Sequence, residues 1–312
     1  MEIVLVMGYP ASGKSTWAEA HFKSHRRVNR DSLGDKTLED LVPLVERHLD
    51  EGASVVLDNT YATRDSRASL LALAKRKGVV ARCVWLDTSI EDAQYNAAER
   101  LVRKHAKLPS PDEIKKLSKK DPNTFGPSVL FRHRKLFEEP TVTEGFAAVE
   151  RVRFSRASQP EGYTGKALLL DYDGTLRRTK SGEKYPRKPD DIEIIPGRVE
   201  ALRRHLAEGY KLLGVSNQGA VAKGDLTVDD ARACFDRTNA LLGIDIEVAF
   251  CPHEPAPISC WCRKPMPGMA VAFIEKHKLD RAQTIMVGDM TSDRTFATRS
   301  GVRFVEEARF FA

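Results

Sequence analysis

The chain has 312 residues, about twice a common domain length, and this favours two domains, each large enough to bury its own core. Hydrophobic residues make up 41% and charged residues 30%, which argues against a disordered, fibrous or membrane-spanning chain. Lys and Arg outnumber Asp and Glu by 50 to 44, a net charge of +6 that admits a polyanionic partner without requiring one.

The opening residues, Met1 to Met7, enter an apolar run with no basic n-region or cleavage site, so a cytoplasmic location is expected. Ile3–Val6 reads as a buried strand, and Gly8-Tyr9-Pro10-Ala11-Ser12-Gly13-Lys14-Ser15 follows it with phosphate-loop spacing. A helix is predicted over about 14–23. The glycines let backbone amides curl around phosphate oxygens, and the helix N-terminus favours the anion. In this reading Gly8, Ser12, Gly13, Lys14, Ser15 and Thr16 hold ATP, with Lys14 on the β and γ phosphates and Ser15 on Mg2+.

Two polar clusters close the next strands. Asn29-Arg30-Asp31 offers Asp31 as a base for an attacking hydroxyl and Arg30 for an anionic acceptor; the triplet equally suits a turn or an N-cap. Asp58, Asn59 and Thr60 close the strand at 54–57, to position magnesium, water or the acceptor, or to cap the following helix. A further strand is predicted at 81–86. Between residues 101 and 135 ten Lys or Arg stand against three Asp or Glu, an excess larger than that of the whole chain. Arg100 and Arg103 suit a lid over donor phosphates. The lysines suit an acidic polymer or a solvated helix face.

These motifs, with the segment Phe131 to Phe146, resemble the kinase domain of polynucleotide kinase-phosphatases over residues 1–154. The resemblance implies ATP-dependent phosphorylation of a nucleic acid 5'-hydroxyl, with Asp31 as general base, Arg30 on the acceptor side, and Arg100 ahead of Arg103 as the lid arginine.

Residues 155–165 are polar and rich in Gly, Pro and Ser and read as a linker. A second α/β alternation follows over 166–312, with strands at 167–170, 211–215 and 284–287, so the fold class is two α/β domains with mostly parallel sheets. Asp171 and Asp173 stand two apart at a strand end, which suits a nucleophile and a proton-transferring partner joined by Mg2+. The distal Glu of a calcium loop is absent. Ser216, Asn217, Arg263 and Lys264 are expected on the phosphoryl group, and Asp289 with Asp293 joins Asp171 and Asp173 on magnesium. In this order the motifs resemble the haloacid dehalogenase superfamily of phosphatases.

Cys251, His253, Cys260 and Cys262 place four soft or borderline ligands in twelve residues, the set for a closed structural Zn2+ site; buried free thiols are the other reading. The loop runs into Arg263-Lys264-Pro265 and is similar to that of histidinol-phosphate and heptose-bisphosphate phosphatases. It departs from that branch at Met290, where a lysine is usual.

Phosphate addition and removal would be futile on one hydroxyl. On two they heal a broken nucleic acid, DNA or RNA, leaving the 5'-phosphate and 3'-hydroxyl that a ligase needs. The alternative keeps the kinase and gives the phosphatase a sugar or nucleotide phosphate.

Overall fold

The structure, a computed structural model, describes residues 1–34 and 36–312. Contacts divide the chain into two compact units, residues 1–97 with 114–156, and residues 98–113 with 157–312.

In the first unit, strands β1 (Glu2–Met7), β2 (Arg26–Val28), β3 (Val55–Asp58), β4 (Val80–Asp87) and β5 (Ala148–Arg153) form one sheet in the order β2-β3-β1-β4-β5. Every pairing is parallel. The chain between them supplies α1 (Lys14–His21), α2 (Val42–Asp50), α3 (Asp65–Lys77), α4 (Ile90–His105), α5 (Pro111–Leu117) and α6 (Ser128–Leu136). Alternation along β1 sends Ile3, Leu5 and Met7 into one core cluster, while Val4 and Val6 join Ala18 of α1 in another. A central parallel strand buried on both faces reads as an unbroken apolar run, which is why Ile3–Val6 is conspicuous in the sequence.

In the second unit, β6 (Gly165–Leu170), β9 (Tyr210–Asn217), β10 (Glu247–Cys251), β11 (Leu279–Gly288) and β12 (Arg303–Glu306) form a second parallel sheet, β10-β9-β6-β11-β12. A small antiparallel pair, β7 (Arg177–Thr179) and β8 (Ile192–Ile194), stands apart. Helices α7 (Arg198–Ala207), α8 (Gly219–Ala222), α9 (Val228–Leu242), α10 (Gly268–His277), α11 (Thr291–Ser300) and α12 (Glu307–Phe310) complete it. Leu168, Leu170, Ile285 and Val287 pack with Phe235 of α9 in its core.

Both units are therefore α/β with a mostly parallel sheet flanked by helices. In each, the central strand has neighbours reached by connections in opposite directions, β3 and β4 around β1, β9 and β11 around β6. The carboxyl ends of such strands open the crevice in which ligands bind. Among the described residues no helix is long and apolar enough to cross a membrane.

Candidate phosphate loop and acidic phosphoryl site

The phosphate loop leaves the carboxyl end of β1 as expected. Gly8 sits at φ 147°, and a Cβ there would meet the Leu86 carbonyl oxygen at 2.8 Å, so the loop's first bend requires glycine. The loop's carbonyls are occupied by protein donors. Lys14 Nζ donates to Gly8 O (3.2 Å) and Tyr9 O (2.6 Å), Asn96 Nδ2 to Ala11 O (2.9 Å), and Thr88 Oγ1 to Ser12 O (3.4 Å). What is left for a ligand is the amide side and the N-terminal end of α1, where Ser15 and Thr16 are exposed. The Ser12 hydroxyl is buried without a partner among the described residues. This arrangement fits a phosphate chain.

The strand-end clusters separate into two kinds. Asn29 braces its surroundings, taking the Asp31 amide on Oδ1 (2.8 Å) and donating from Nδ2 to Asp58 O (2.7 Å). Asn59 accepts the Arg30 amide on Oδ1 (3.0 Å) and donates to Tyr61 OH (3.2 Å), and Thr60 follows it half-buried. Asp31 and Arg30 remain partly exposed, 3.4 Å apart as an ion pair. Asp58 does not take the part expected of it. Its carboxylate is fully buried and gripped by Arg27, Nε to Oδ1 at 3.0 Å and Nη2 to Oδ2 at 2.7 Å, so it neither faces a ligand nor caps α3. Arg103 is likewise committed, through Nε and Nη2, to the Glu275 carboxylate of α10 within the second unit (3.2 and 3.1 Å), and closes no lid here. Arg100 lies one turn earlier on α4.

His133 of α6 was not singled out by the sequence. It is 6% exposed and its ring lies 4.6 Å from that of Tyr9 in the phosphate loop. Burial, aided by the charge of Lys14, pushes it from 6.5 down to about 4. The unfolded chain thus takes up this proton first. Stability present above pH 6.5 drains as pH falls toward about 4, on the order of 3 kcal/mol in total. His133→Phe keeps the ring packing and is expected to flatten that acid slope; denaturant melts at pH 7 and pH 4.5 check it, and an unchanged slope contradicts the assignment.

In the second unit the site grows from the ends of β6 and β11. Asp171 follows four buried residues of β6, and its amide donates to Val287 O of the neighbouring strand (3.0 Å). Gly174, at φ 87°, leaves room for the Asp289 carboxylate, which a Cβ would meet at 2.6 Å. Asp171, Asp289 and Asp293 present oxygens within 4.8 Å of one another. Lys264 Nζ reaches Asp171 Oδ1 at 2.5 Å and Asp293 Oδ1 at 2.7 Å. Asp293 stands in this group with Asp171 and Asp289, whereas the Asp173 side chain, also expected on magnesium, turns to Arg177 and Gln218.

One ammonium does not balance three carboxylates. Burial pushes Asp171 up to about 7 against the pull of Lys264, with Asp293 and Asp173 adding to the rise, and burial also raises Asp289. Burial opposes the Lys264 charge, yet Asp171 and Asp293 hold it above the ordinary lysine value. A hard divalent cation with oxygen ligands relieves this excess, and the cluster fits magnesium.

Ser216 and Asn217 line the same cavity, of about 600 Å3, with Asp171, Asp173 and Lys264. Ser216 Oγ accepts from Gln218 Nε2 (2.9 Å). The Asn217 carboxamide does a different job from the phosphoryl hydrogen bond expected of it: Nδ2 donates to Lys264 O and Oδ1 accepts the Lys264 amide, both at 2.9 Å, which clamps the lysine backbone. Lys184, Lys223 and Arg263 line the cavity with no carboxylate partner among the described residues. Arg263 donates to His253 O (3.1 Å), tying the cavity to the cysteine loop.

That loop gathers Cys251, His253, Cys260 and Cys262, with donor atoms within 4.8 Å of one another. Metal bonds of about 2.3 Å to sulfur and 2.0 Å to nitrogen imply tetrahedral edges of about 3.5–3.8 Å. The observed separations are 3.6 Å for Cys251 Sγ to Cys260 Sγ, 3.5 Å for Cys251 Sγ to His253 Nδ1, and 3.2 Å for His253 Nδ1 to Cys262 Sγ. Donation from Cys251 and Cys262 holds the Cys260 thiol far below its ordinary value. The donor set fits a tetrahedral cation with no open position.

Two family models match separate stretches of the chain. Residues 3–116 match the family described as AAA domain, and residues 166–311 the family described as polynucleotide kinase 3 phosphatase. The chain is 34% identical over 144 residues to a probable D-glycero-D-manno-heptose-1,7-bisphosphate 7-phosphatase of Thermoplasma volcanium, covering 45% of this chain and 96% of that protein. Among solved structures, a D,D-heptose 1,7-bisphosphate phosphatase from B. bronchiseptica with magnesium and phosphate aligns at TM-score 0.39 and 27% identity, covering 44% of this chain and 78% of that one. A chain of a Pnkp1/Rnl/Hen1 RNA repair complex aligns over 98% of this chain and 95% of its own, at TM-score 0.34 and 16% identity.

Proposed function

Since the chain belongs to the haloacid dehalogenase superfamily of phosphatases, on the side of the heptose-bisphosphate phosphatases, with a P-loop domain ahead of the phosphatase domain, we propose that it is a bifunctional enzyme: an ATP-dependent kinase joined to a phosphatase acting on a small phosphate monoester of the sugar-phosphate kind. The carrying observation is the Asp171, Asp289, Asp293 and Lys264 cluster at the floor of a cavity open to a small substrate. Asp171 attacks phosphorus and becomes a phospho-aspartate as the ester oxygen leaves; Asp173 protonates that oxygen and then takes a proton from the water that hydrolyses the acyl phosphate. Asp171, Asp289 and Asp293 would hold magnesium, which would supply charge screening between carboxylate and phosphate. Lys264 neutralises the transferred group, and Lys184, Lys223 and Arg263 give the cavity mouth a positive field for a substrate with further negative charge. Zinc on the cysteine loop has a structural part only. In the first unit, Lys14 and the loop amides hold the donor phosphates, and Asp31 takes the acceptor proton.

A second reading, 5'-kinase and 3'-phosphatase on broken nucleic acid ends, is favoured by the match of residues 166–311 to a family described by polynucleotide chemistry. One panel separates the two. With ATP and magnesium, wild type, Lys14→Ala and Asp171→Ala are given heptose bisphosphate and an oligonucleotide bearing a 5'-hydroxyl and a 3'-phosphate. Turnover of heptose bisphosphate at least 100-fold above that of the 3'-phosphate, lost only in Asp171→Ala, is the expected result. Removal of the 3'-phosphate at the higher rate transfers the assignment to end healing.

A further inference from the structure

We propose that Arg177 is the positioning residue of the phosphatase site, holding the Asp173 carboxylate at the leaving oxygen and away from the magnesium cluster. The inference rests on the phosphatase reading above.

Arg177 is 1% exposed and enters the site twice. Its backbone closes the loop after Asp171: its amide donates to Tyr172 O and its carbonyl accepts the Gly174 amide, both at 3.0 Å. Its side chain then folds back across the loop. Nε donates to Asp173 Oδ1 at 2.8 Å, while Nη1 is anchored on α9 by Cys234 O (2.8 Å) and Thr238 Oγ1 (2.9 Å). The guanidinium lies 4.9 Å from the centre of the Phe235 ring and 5.3 Å from that of Tyr172. A planar donor locked in this way offers a single direction to its partner. Gln218 Nε2 takes the other oxygen, Asp173 Oδ2, at 3.1 Å. With one donor on each oxygen the carboxylate plane is fixed, and it still lines the cavity, 22% exposed.

The same contact explains why Asp173 stays out of the metal cluster. It is two residues from Asp171, and a free carboxylate so close to a divalent cation tends to ligate it, which would spend the group needed for proton transfer. Among the described residues Asp173 is the only carboxylate paired with Arg177, whereas Asp171 and Asp293 pair with Lys264 and Asp289 clusters with them. Two buried cations thus sort four carboxylates into a metal set and a proton-transfer residue.

The test compares leaving groups. p-Nitrophenyl phosphate expels a stable anion and needs no proton at the leaving oxygen; an alkyl phosphate needs one. The alkyl substrate is the better of heptose bisphosphate and the 3'-phosphorylated oligonucleotide. For Arg177→Met, kcat/KM on the alkyl ester is expected to fall about 100-fold and on the nitrophenyl ester less than 5-fold, since general acid catalysis supplies factors of this order. Arg177→Lys, which keeps the charge but not the planar fork, is expected to recover part of the difference, and it decides the matter if the methionine variant does not fold. Parallel loss on both esters, or no loss on either, overturns the assignment while leaving the phosphatase reading intact. If wild type turns over neither ester, or Asp171→Asn still does, the phosphatase reading fails and this inference with it.

Discussion

Asp171→Asn is expected to abolish phosphatase turnover, lowering kcat by on the order of 10^4-fold or more, because the carboxamide forms no phospho-aspartate and Asp173 has nothing to protonate for. The substitution also reads the electrostatics of the site. Asp171 rises to about 7 in the fold from 3.8, so in magnesium-free protein its contribution to stability is complete below pH 3.8 and is lost as pH rises through about 7. The neutral asparagine escapes that loss. Melting curves in chelator should therefore show the variant gaining on wild type between pH 4 and pH 7, while activity with magnesium is gone throughout. A variant that melts in parallel with wild type across this range contradicts the buried-charge account; residual turnover above a hundredth of wild type contradicts Asp171 as nucleophile.

Removal of the metal from the cysteine loop should be the next largest effect. A four-ligand structural zinc contributes several kcal/mol to a domain that cannot otherwise close the loop, so Cys260→Ser is expected to bind no zinc and to lower the melting temperature of the second unit by on the order of 10 °C. Activity should fall with it. Arg263 is bonded to His253 O, Lys264 follows Arg263 directly, and Asn217 reads the Lys264 backbone at two points, so a slack loop displaces the ammonium from Asp171. Metal analysis of purified protein at about one zinc per chain, with phosphatase activity lost on strong chelation and regained with zinc plus magnesium, would agree. Full activity and unchanged melting in the serine variant would reduce the loop to buried thiols.

The phosphate loop and the Asp171 strand end were legible because their chemistry is written in backbone spacing: a glycine at position 8 where no Cβ fits, a second glycine at position 13 with a lysine directly after it, a carboxylate directly after a buried strand. The strands read from apolar runs are all present, while β5, β7, β8, β10 and β12 are not among them; an edge strand such as Ala148–Arg153 is largely exposed and carries charges. Partner choice between distant side chains was not legible at all. Nothing near Asp58 announces Arg27, 31 residues earlier, and nothing near Arg103 announces Glu275, 172 residues later. Asp173 was read as a magnesium ligand because spacing alone puts it beside Asp171; only the burial of Arg177 between α9 and the loop decides which way it turns.

The compact second unit draws residues 98–113 from the middle of the chain, and this bears on how the protein can be cut. Leu108 packs so tightly at the start of α10 that a Cβ on Gly268 would meet its Cδ2 at 2.7 Å, and Arg103 and Tyr163 both bind Glu275. A fragment beginning near residue 157 would keep every phosphoryl-handling side chain yet lack part of its own wall, baring apolar surface beside α10 and leaving Glu275 without its arginine. The natural seam of this protein is therefore a discontinuous one, and separating the two proposed activities is better done by point substitution than by scission.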